Sequence, residues 1–489
     1  QVALWMTDHQ MNLKVSEEFG QYFARLPLKK APNILHGNAL TTDWQTLIAP
    51  NDLTYIVGNP PFVGKQYQSD EQKKDMARVF HDVKGYGVLD FVAPWYRKAV
   101  DYMADNLAIK AAFVSTNSIT QGEQVGVLWS DLLRRGLKIQ FAHRTFQWSN
   151  EARGKAAVHC VIIGFALHDA DDKRLFHYET LQSEPHEIKA KNINPYLVDA
   201  PDTFVEKRRT PIQNVPPLAF GNMPNDGGNL LFTRPEKDAL LQAEPSADPY
   251  IRRFIGSEEF INDVERYCLW LKGVSPAVIK TLPLVLERVE RVRRSRLASP
   301  RPTTKQLANY PMLFGEIRQP STDYLAIPEV SSERRTYIPI DMVSREVIAS
   351  NKIYTLSNPT LYHFGILSSS THMTWTRTVC GRLKSDYQYS AGIVYNNFPW
   401  PQPTDKQRLA IEVAAQAVLD TRAKFKGSSL AHLYDPLSMP PELTKAHHTL
   451  DRTVDAAYGK TGFKTEADRV AFLFQLYQQI TAPLDLEEP

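Results

Sequence analysis

The segment from Tyr55 to Phe62, YIVGNPPF, joins a short apolar run to an Asn-Pro-Pro-aromatic turn. The apolar run is typical of a buried β-strand. The two consecutive prolines fix φ and remove two backbone donors, so the strand has to end before them. An amide oxygen, rigid carbonyl groups and an aromatic ring then stand at one place. Together these groups could bind and orient a planar amino group while a methyl group is transferred to it.

The elements around this turn predict an α/β fold. A strand over 53–57 brings Asn59 to a strand's carboxyl end, the edge at which open α/β sheets place their ligands. Helix-like and strand-like segments alternate, which implies a mostly parallel sheet with crossover helices. We expect helices over 1–26, 70–80, 88–106 and 125–135, and strands over 33–40 (with a turn), 53–57, 111–114, 138–146 and 157–167.

Other motifs flank the Asn-Pro-Pro-Phe turn on both sides. They are 37–40 (GNAL), 113–118 (FVSTNS), 146–150 (FQWSN), 159–165 (HCVIIGF) and 395–401 (YNNFPWP). With these motifs the chain resembles the MmeI-like restriction-modification enzymes, specifically their methyltransferase and target-recognition portion. The resemblance covers nearly the whole chain.

The resemblance implies a DNA adenine-N6 methyltransferase that uses S-adenosylmethionine and flips its target base. Its catalytic residues are then Asn59, Pro60, Pro61 and Phe62. The Asn59 amide oxygen and the Pro60 carbonyl can accept the two N6 hydrogens, which stabilises the charge that develops on the nitrogen. Phe62 can stack on the extruded base. An ordinary strand-ending turn is the alternative interpretation.

The resemblance also assigns a cofactor segment and a second wall for the base. Asn38, Ala39 and Leu40 are expected to contact the cofactor's adenine; many relatives carry Asp at the first position, but an amide oxygen accepts the same hydrogen bond. Phe146 and Trp148 are expected on the loop of an antiparallel hairpin, where they face the flipped base. A plain turn residue and plain core packing are the respective alternatives.

Charged residues of the second half are candidates for DNA contact. Glu333 and Arg335 follow a predicted strand; on an extended segment they point to one side and could read one G·C pair. A surface ion pair is an equally open interpretation. Arg382, Lys384 and Ser385 resemble a family segment near DNA, which implies phosphate contact. The arginines of 288–301 form the densest basic cluster, for which we favour phosphate contact over a solvated helix.

Composition excludes several classes of protein. A net charge of +3 over 489 residues does not by itself indicate nucleic-acid binding. The cysteines, Cys160, Cys268 and Cys380, form no Cys-x-x-Cys pair, so we expect no metal site, no disulfide framework and a reducing, cytoplasmic setting. No run of about 18 apolar residues occurs, so neither a transmembrane helix nor a membrane partner is expected.

A Pro-, Asn- and Gly-rich stretch at 200–235 predicts a domain boundary. We expect a methyltransferase domain at 1–215, a target-recognition domain at 216–403 and a helical domain at 404–489. The expected fold class is α/β: a partial Rossmann-like S-adenosylmethionine-dependent methyltransferase sheet, then an irregular α+β domain and a small helical domain. The family's glycine-rich cofactor loop is not found, which predicts an amino-terminally truncated chain with weak cofactor binding. The resemblance leaves room for a nuclease domain upstream in the same polypeptide.

Other functions remain open on the sequence. The same turn serves the N-methylation of glutamine amides in proteins and of RNA bases. The large module that follows the catalytic sheet argues against both, because a small substrate needs no such reader. A double-stranded-DNA specificity module without catalysis in this truncated form is the remaining alternative, which the missing cofactor loop supports.

Overall fold

A computed structural model describes residues 2–20, 33–148 and 158–482 of the chain. The amino-terminal part is built on a mixed sheet with the strand order β1-β2-β4-β3-β5-β6. The strands are β1 (Tyr55–Gly58), β2 (Lys110–Thr116), β3 (Lys138–Trp148), β4 (Val158–Ala166), β5 (Lys173–His177) and β6 (His186–Ala190). The β1/β2 and β3/β5 pairs are parallel, and the other described pairs are antiparallel.

The expectation of a mostly parallel sheet is therefore wrong for the described residues. Strand β4 returns directly from β3 and inserts between β2 and β3, antiparallel to both. Only eight residues separate β5 from β6, which leaves no room for the crossover helix that a parallel connection needs. The predicted β3/β4 hairpin is confirmed, whereas β5 and β6 were missed.

Helices flank this sheet. They are α2 (Asp70–Val79), α3 (Ala93–Met103) and α4 (Gly122–Arg134). Helix α1 (Val2–Phe19) precedes them in the chain, and none of its described residues belongs to the core around the sheet. A capping box of Ser69 and Gln72 starts α2. Helix α3 begins later than the expected residue 88, because a 3₁₀ turn comes first and Pro94 suits a helix start. The last residues of the predicted helix 1–26 lie outside the described residues.

The strand expected within 33–40 does not form. Ile34 and Leu35 are largely exposed, at 68% and 54%, and β1 is the edge strand of the described sheet, so this segment pairs with no strand there. A turn does form, since the backbone N–H groups of Thr41 and Thr42 both donate to the Asn38 carbonyl at 3.0 Å.

The middle of the chain consists of three small sheets and short helices. The sheets have the orders β14-β9-β10-β8, β13-β11-β15-β7 and β12-β17-β16. Their strands are β7 (Leu218–Phe220), β8 (Leu231–Thr233), β9 (Ile251–Ile255), β10 (Arg266–Leu269), β11 (Tyr324–Pro328), β12 (Val330–Ser331), β13 (Asp341–Val343), β14 (Ile348–Ala349), β15 (Ile353–Ser357), β16 (Gly381–Leu383) and β17 (Asp386–Gln388). The helices are α5 (Arg234–Ala243), α6 (Ser257–Asn262), α7 (Pro276–Lys280), α8 (Pro283–Leu297), α9 (Pro302–Gln306), α10 (Leu361–Leu367) and α11 (Ser370–Val379).

The carboxyl-terminal part is helical, as expected. Its helices are α12 (Asp405–Ala423), α13 (Leu430–Leu433), α14 (Pro441–Ala457) and α15 (Glu466–Thr481). One hydrophobic core joins the first sheet, α10, α11 and these helices. A second core lies around α8 and the β8–β10 strands. The first sheet is thus packed into a body that includes the carboxyl-terminal helices.

Candidate active site and DNA-facing surface

A cleft runs along β1 and includes the first residues of the Asn-Pro-Pro-Phe turn at the strand's carboxyl end. Its volume is about 540 Å³, within the range of small-molecule sites. Asn59, Pro60 and Pro61 line one part of it, and the aromatic side chains of Trp44 and Tyr102 line another. The cleft thus combines a mostly apolar interior with a few polar groups at the end of a strand.

Within the turn, the side chains differ in what they offer. The Asn59 side chain is exposed and makes no hydrogen bond to another described residue, so its amide oxygen is available to a ligand. Pro60 is buried and Pro61 is exposed. Phe62 is half-buried and packs against the main core, next to the cleft lining rather than within it. These four positions lie together, as any consecutive motif must; their catalytic role stays a prediction.

The backbone that follows Phe62 is fixed by buried polar groups. The Val63 N–H and the Val92 N–H both donate to Asp90 Oδ1 at 3.2 Å, and the Phe91 N–H donates to the Val63 carbonyl at 3.0 Å. Gln68 Nε2 donates to the same Val63 carbonyl at 3.2 Å. Burial raises the pKa of the Asp90 carboxyl, although the N–H donors oppose that shift.

The predicted cofactor segment is divided between the cleft and the core. Ala39 lines the cleft, whereas Leu40 is 4% exposed and belongs to the core. Asn38 is exposed and lies outside the lining; its Oδ1 accepts from the Leu40 N–H at 3.0 Å and its Nδ2 donates to Asp75 at 2.8 Å. One lone pair of Oδ1 stays available, so the predicted contact with a ligand is compatible with this geometry but untested.

Sequence reasoning missed the aromatic wall that completes the cleft. Trp44 Nε1 donates to the Ala39 carbonyl at 2.9 Å, and the Trp44 ring lies 5.8 Å from the ring of Tyr102. Lys98 Nζ donates to the carbonyls of Leu40, at 3.1 Å, and Thr42. A tryptophan shortly after the GNAL motif was the available signal, because a buried indole needs a partner for its N–H.

Phe146 and Trp148 occupy the end of β3 itself and not the loop where they were expected. Phe146 pairs with Cys160, which in turn pairs with Thr116 at the end of β2, so both aromatics lie at the edge where β1 also ends. Neither lines the cleft around Asn59. The Phe146 ring already stacks on Tyr178, a residue that sequence reasoning missed, with centroids 5.2 Å apart.

The Glu333–Arg335 segment is a turn, so the expectation that it is extended is wrong. The Arg335 N–H donates to the Ser332 carbonyl at 3.2 Å, which closes the turn. Two residues apart in a turn do not share a side as they do in a strand. Arg335 is half-buried and donates to Ser331 Oγ at 3.3 Å, and burial lowers its pKa. Glu333 is exposed.

Arg382, Lys384 and Ser385 belong to the β16/β17 hairpin. The Arg382 guanidinium lies 4.0 Å from the centroid of the Tyr387 ring, and it donates to the carbonyls of Ser385 and Arg377 at 3.2 Å each. It therefore supports the hairpin, whereas Lys384 at the tip is exposed. A phosphate contact suits Lys384 better than Arg382.

The arginine cluster of α8 serves partly as internal support. Arg296 is 1% exposed and donates to five backbone carbonyls, those of Pro224, Asn225, Leu307, Tyr310 and Leu313. The Arg288 guanidinium stacks on Phe232 at 4.0 Å. For Arg296 the expected phosphate contact is wrong, because its donors face protein. Arg288 is half-buried and donates to the Asn229 carbonyl at 2.9 Å, and its phosphate contact stays a prediction. Arg291, Arg293, Arg294 and Arg301 are exposed.

The described ranges contain neither a metal-binding cluster nor a membrane-spanning helix. The His, Cys, Asp and Glu side chains of 2–20, 33–148 and 158–482 form no group of three or more that could hold a metal ion. Across the same ranges, no helix has the length and apolar character needed to span a membrane. Cys160, Cys268 and Cys380 are buried free thiols.

Models of a single family match almost the whole chain. Residues 1–177 match "MmeI, DNA-methyltransferase domain", residues 199–402 match "MmeI, target recognition domain" and residues 403–485 match "MmeI, C-terminal domain". This chain belongs to the MmeI family. The resemblance inferred from the motifs is thereby confirmed.

Individual family relatives agree with this assignment. DNA methyltransferase A of Bacillus subtilis (strain 168) is 41% identical over 485 residues, which are 98% of this chain and 54% of that protein. A structure of the type IIL restriction-modification enzyme MmeI in complex with DNA is 54% identical, with a TM-score of 0.87 over 98% of this chain and 64% of that one. The expected fold class is confirmed. The chain spans about half to two-thirds of the length of these relatives.

Proposed function

We propose that this chain provides the methyltransferase and target-recognition parts of a site-specific DNA adenine-N6 methyltransferase in a restriction-modification system. The observation that carries the proposal is the exposed Asn59 side chain, which lines the cleft beside β1 and makes no hydrogen bond to another described residue. The target recognition domain of the family, matched at 199–402, supports duplex DNA as the substrate. Methylation of glutamine amides or RNA bases would leave that domain without a role.

The proposed chemistry rests on fixed hydrogen-bond acceptors. Adenine N6 is a weak nucleophile because its lone pair is delocalised into the ring. The Asn59 amide oxygen and the Pro60 carbonyl accept the two N6 hydrogens, draw the nitrogen towards tetrahedral geometry and stabilise the positive charge that develops on it. Phe62 stacks on the base after it leaves the duplex. No strong base is needed for the attack.

The cleft fits S-adenosylmethionine as the methyl donor. Its volume and aromatic wall suit the adenine ring, for which Ala39, Trp44 and Tyr102 would provide apolar contacts. Asn59 belongs to the same lining. The bound cofactor supplies an electrophilic methyl group, and the chain's own residues supply the orientation of the acceptor.

The expected basis of DNA binding is local positive charge. Exposed arginines of α8 and Lys384 at the hairpin tip offer phosphate contacts, although the net charge is only +3. Glu333 is exposed on the turn that follows β12, where its carboxylate can reach a base edge. These DNA-contacting residues are proposals for this chain.

Methyl transfer from labelled S-adenosylmethionine to DNA, RNA and protein tests the proposal directly. In the complete protein, Asn59→Ala should lower kcat by at least about 100-fold with DNA affinity nearly unchanged, because the acceptor acts chiefly in the transition state. Asn59→Asp keeps an oxygen acceptor and should retain more activity. Labelling of RNA or protein but not DNA, or wild-type turnover by Asn59→Ala, would refute the assignment.

A further inference from the structure

The β16/β17 hairpin presents a leucine at its tip. Leu383 is the last residue of β16 and is 53% exposed, and it faces Asp386 across a two-residue turn of Lys384 and Ser385. A large apolar side chain exposed between two basic residues, Arg382 and Lys384, gains nothing for the fold of the hairpin. An exposed leucine beside two cationic side chains suits a partner with an apolar interior and negative charges on its surface.

The hairpin turn is built at a cost in backbone energy. Lys384 has a φ of +58°, a left-handed conformation that favours glycine at the first position of such a turn. A glycine there would relieve the strain but would remove the ammonium group that stands next to Leu383. The tip therefore combines an apolar side chain and a cation on a rigid two-residue turn.

Stacking and hydrogen bonds hold the hairpin rigid. The Arg382 guanidinium stacks on Tyr387 at 4.0 Å and ties the turn through the Ser385 carbonyl. The Tyr387 hydroxyl donates to the Glu333 carbonyl at 3.2 Å, and the Glu333 N–H donates to Asp386 Oδ1 at 3.4 Å. The hairpin and the turn that carries Glu333 thus form one unit, joined through β12 and β17.

The same hairpin is docked on the catalytic domain. A Cβ atom added to Gly122, the first residue of α4, would lie only 2.9 Å from the Gly381 Cα. The connection between β2, which ends at Thr116, and α4 lies at the carboxyl edge of the sheet, the same edge that presents Asn59. Two glycines therefore allow the hairpin backbone to sit directly beside the catalytic edge.

We propose that Leu383 is the wedge that enters the base stack of duplex DNA when the target adenine leaves it. The inference rests on the proposed function, since it concerns the flipping step of the same reaction. Apolar side chains inserted between base steps offset the lost stacking, and the Lys384 ammonium contacts the adjacent phosphate. The docking on Gly122 sets the distance between the inserted side chain and the catalytic turn.

Fluorescence of 2-aminopurine, placed at the target adenine, tests the wedge because its emission rises when the base leaves the stack. In the complete protein, Leu383→Ala should reduce this rise and should lower kcat/KM on fully paired DNA roughly tenfold or more. A duplex with an abasic site opposite the target adenine needs less unstacking, so it should restore most of the activity of Leu383→Ala. Leu437→Ala, at an 86% exposed leucine outside this sheet, is the matched control.

Different outcomes separate the wedge from the proposed function. Equal fluorescence and turnover of Leu383→Ala and the wild type on paired DNA would overturn the wedge and leave the methyltransferase assignment intact. An equal loss on paired and abasic substrates would also overturn it, because the defect would then lie outside flipping. Absence of DNA methylation by the wild type would refute the proposed function itself.

Discussion

At the residue scale, the atoms that hold the Asn-Pro-Pro-Phe turn lie outside the motif. Asp90 accepts the N–H of Val63, which directly follows the turn, and the N–H of Val92, which directly precedes α3. The Asp90 N–H donates to Gln124 Oε1 at 2.8 Å, which links these two segments to α4. Since fixed acceptors stabilise charge only while they stay in place, the catalytic turn depends on this carboxylate for its position.

Asp90→Ala should therefore lower kcat with little change in KM for DNA. It leaves the Val63 and Val92 N–H groups without their acceptor and should also reduce stability by about 1–3 kcal/mol. Asp90→Asn keeps a carbonyl oxygen and should stay close to the wild type in kcat. Steady-state kinetics together with urea denaturation checks both variants; a kcat of Asp90→Ala equal to that of Asp90→Asn would exclude a positioning role.

The raised pKa of Asp90 gives a second, pH-dependent expectation. A carboxyl whose folded-state pKa lies above its unfolded value stabilises the fold at low pH, and that stabilisation is lost as the pH rises through the folded value. Asp90→Asn removes the buried charge at every pH. The stability of Asp90→Asn relative to the wild type should thus be highest at neutral pH and should fall as the pH falls towards 4. A stability difference that does not change with pH would contradict the raised pKa of Asp90.

At the element scale, the small sheet β12-β17-β16 joins the segments proposed to contact DNA to the sheet edge that carries Asn59. The turn after β12 carries Glu333 and Arg335, and the hairpin of β16 and β17 rests on α4. A displacement of one element in a hydrogen-bonded sheet is passed to its neighbours, so base reading and hairpin placement are expected to change together.

If the exposed Glu333 carboxylate reads one base edge, Glu333→Ala should alter the preferred base at one position of the site. The lost contacts should cost about 1–3 kcal/mol against the correct base. Sequencing of methylated sites measures the preference at every position. Arg334→Ala, an exposed neighbour in the same turn, is the control. An unchanged profile in Glu333→Ala would leave Glu333 as a plain surface residue.

A phosphate contact by Lys384 predicts a different behaviour. Lys384→Ala should weaken binding to all sequences alike and should lower the salt dependence of log K by about one unit. Lys384→Gly removes the same charge but suits the φ of +58°, so both variants should share the reduced slope. Binding titrations at several salt concentrations, with Lys445→Ala as an exposed control, measure it. A slope equal to that of the wild type would place Lys384 away from phosphate.

The sequence predicted those elements whose signal is local. The run at 55–58 and the proline turn behind it gave the first strand and the position of Asn59, and the capping residues of α2 lay within its sequence. What it could not provide were contacts between distant residues. The contacts of Tyr178 with Phe146, of Tyr102 with Trp44, and of Arg296 with the Pro224 and Asn225 carbonyls join segments far apart in the chain. Arginine spacing alone looks the same whether the side chains face phosphate or protein.

At the scale of the whole molecule, the carboxyl-terminal helices share one hydrophobic core with the sheet that carries Asn59. Phe474 of α15 is fully buried; its ring lies 5.1 Å from Tyr196, just after the first sheet, and 5.6 Å from Trp375 of α11. Gln478 donates to Thr203 Oγ1 at 2.7 Å. The boundaries at 215/216 and 403/404, which stay predictions, therefore do not separate independent cores.

Removal of the Phe474 ring should destabilise the catalytic sheet as well as α15. Phe474→Ala leaves a cavity in the shared core and should cost about 3–5 kcal/mol. Leu409→Ala, at a residue 62% exposed on α12, should stay within about 0.5 kcal/mol of the wild type. Hydrogen exchange of the β2 and α4 amides is the decisive measurement, since a body with one core opens as a unit. The expected result for Phe474→Ala is faster exchange that extends to β2, far from the substituted residue in sequence. Loss of protection confined to α14 and α15 would instead show that the helical region folds on its own.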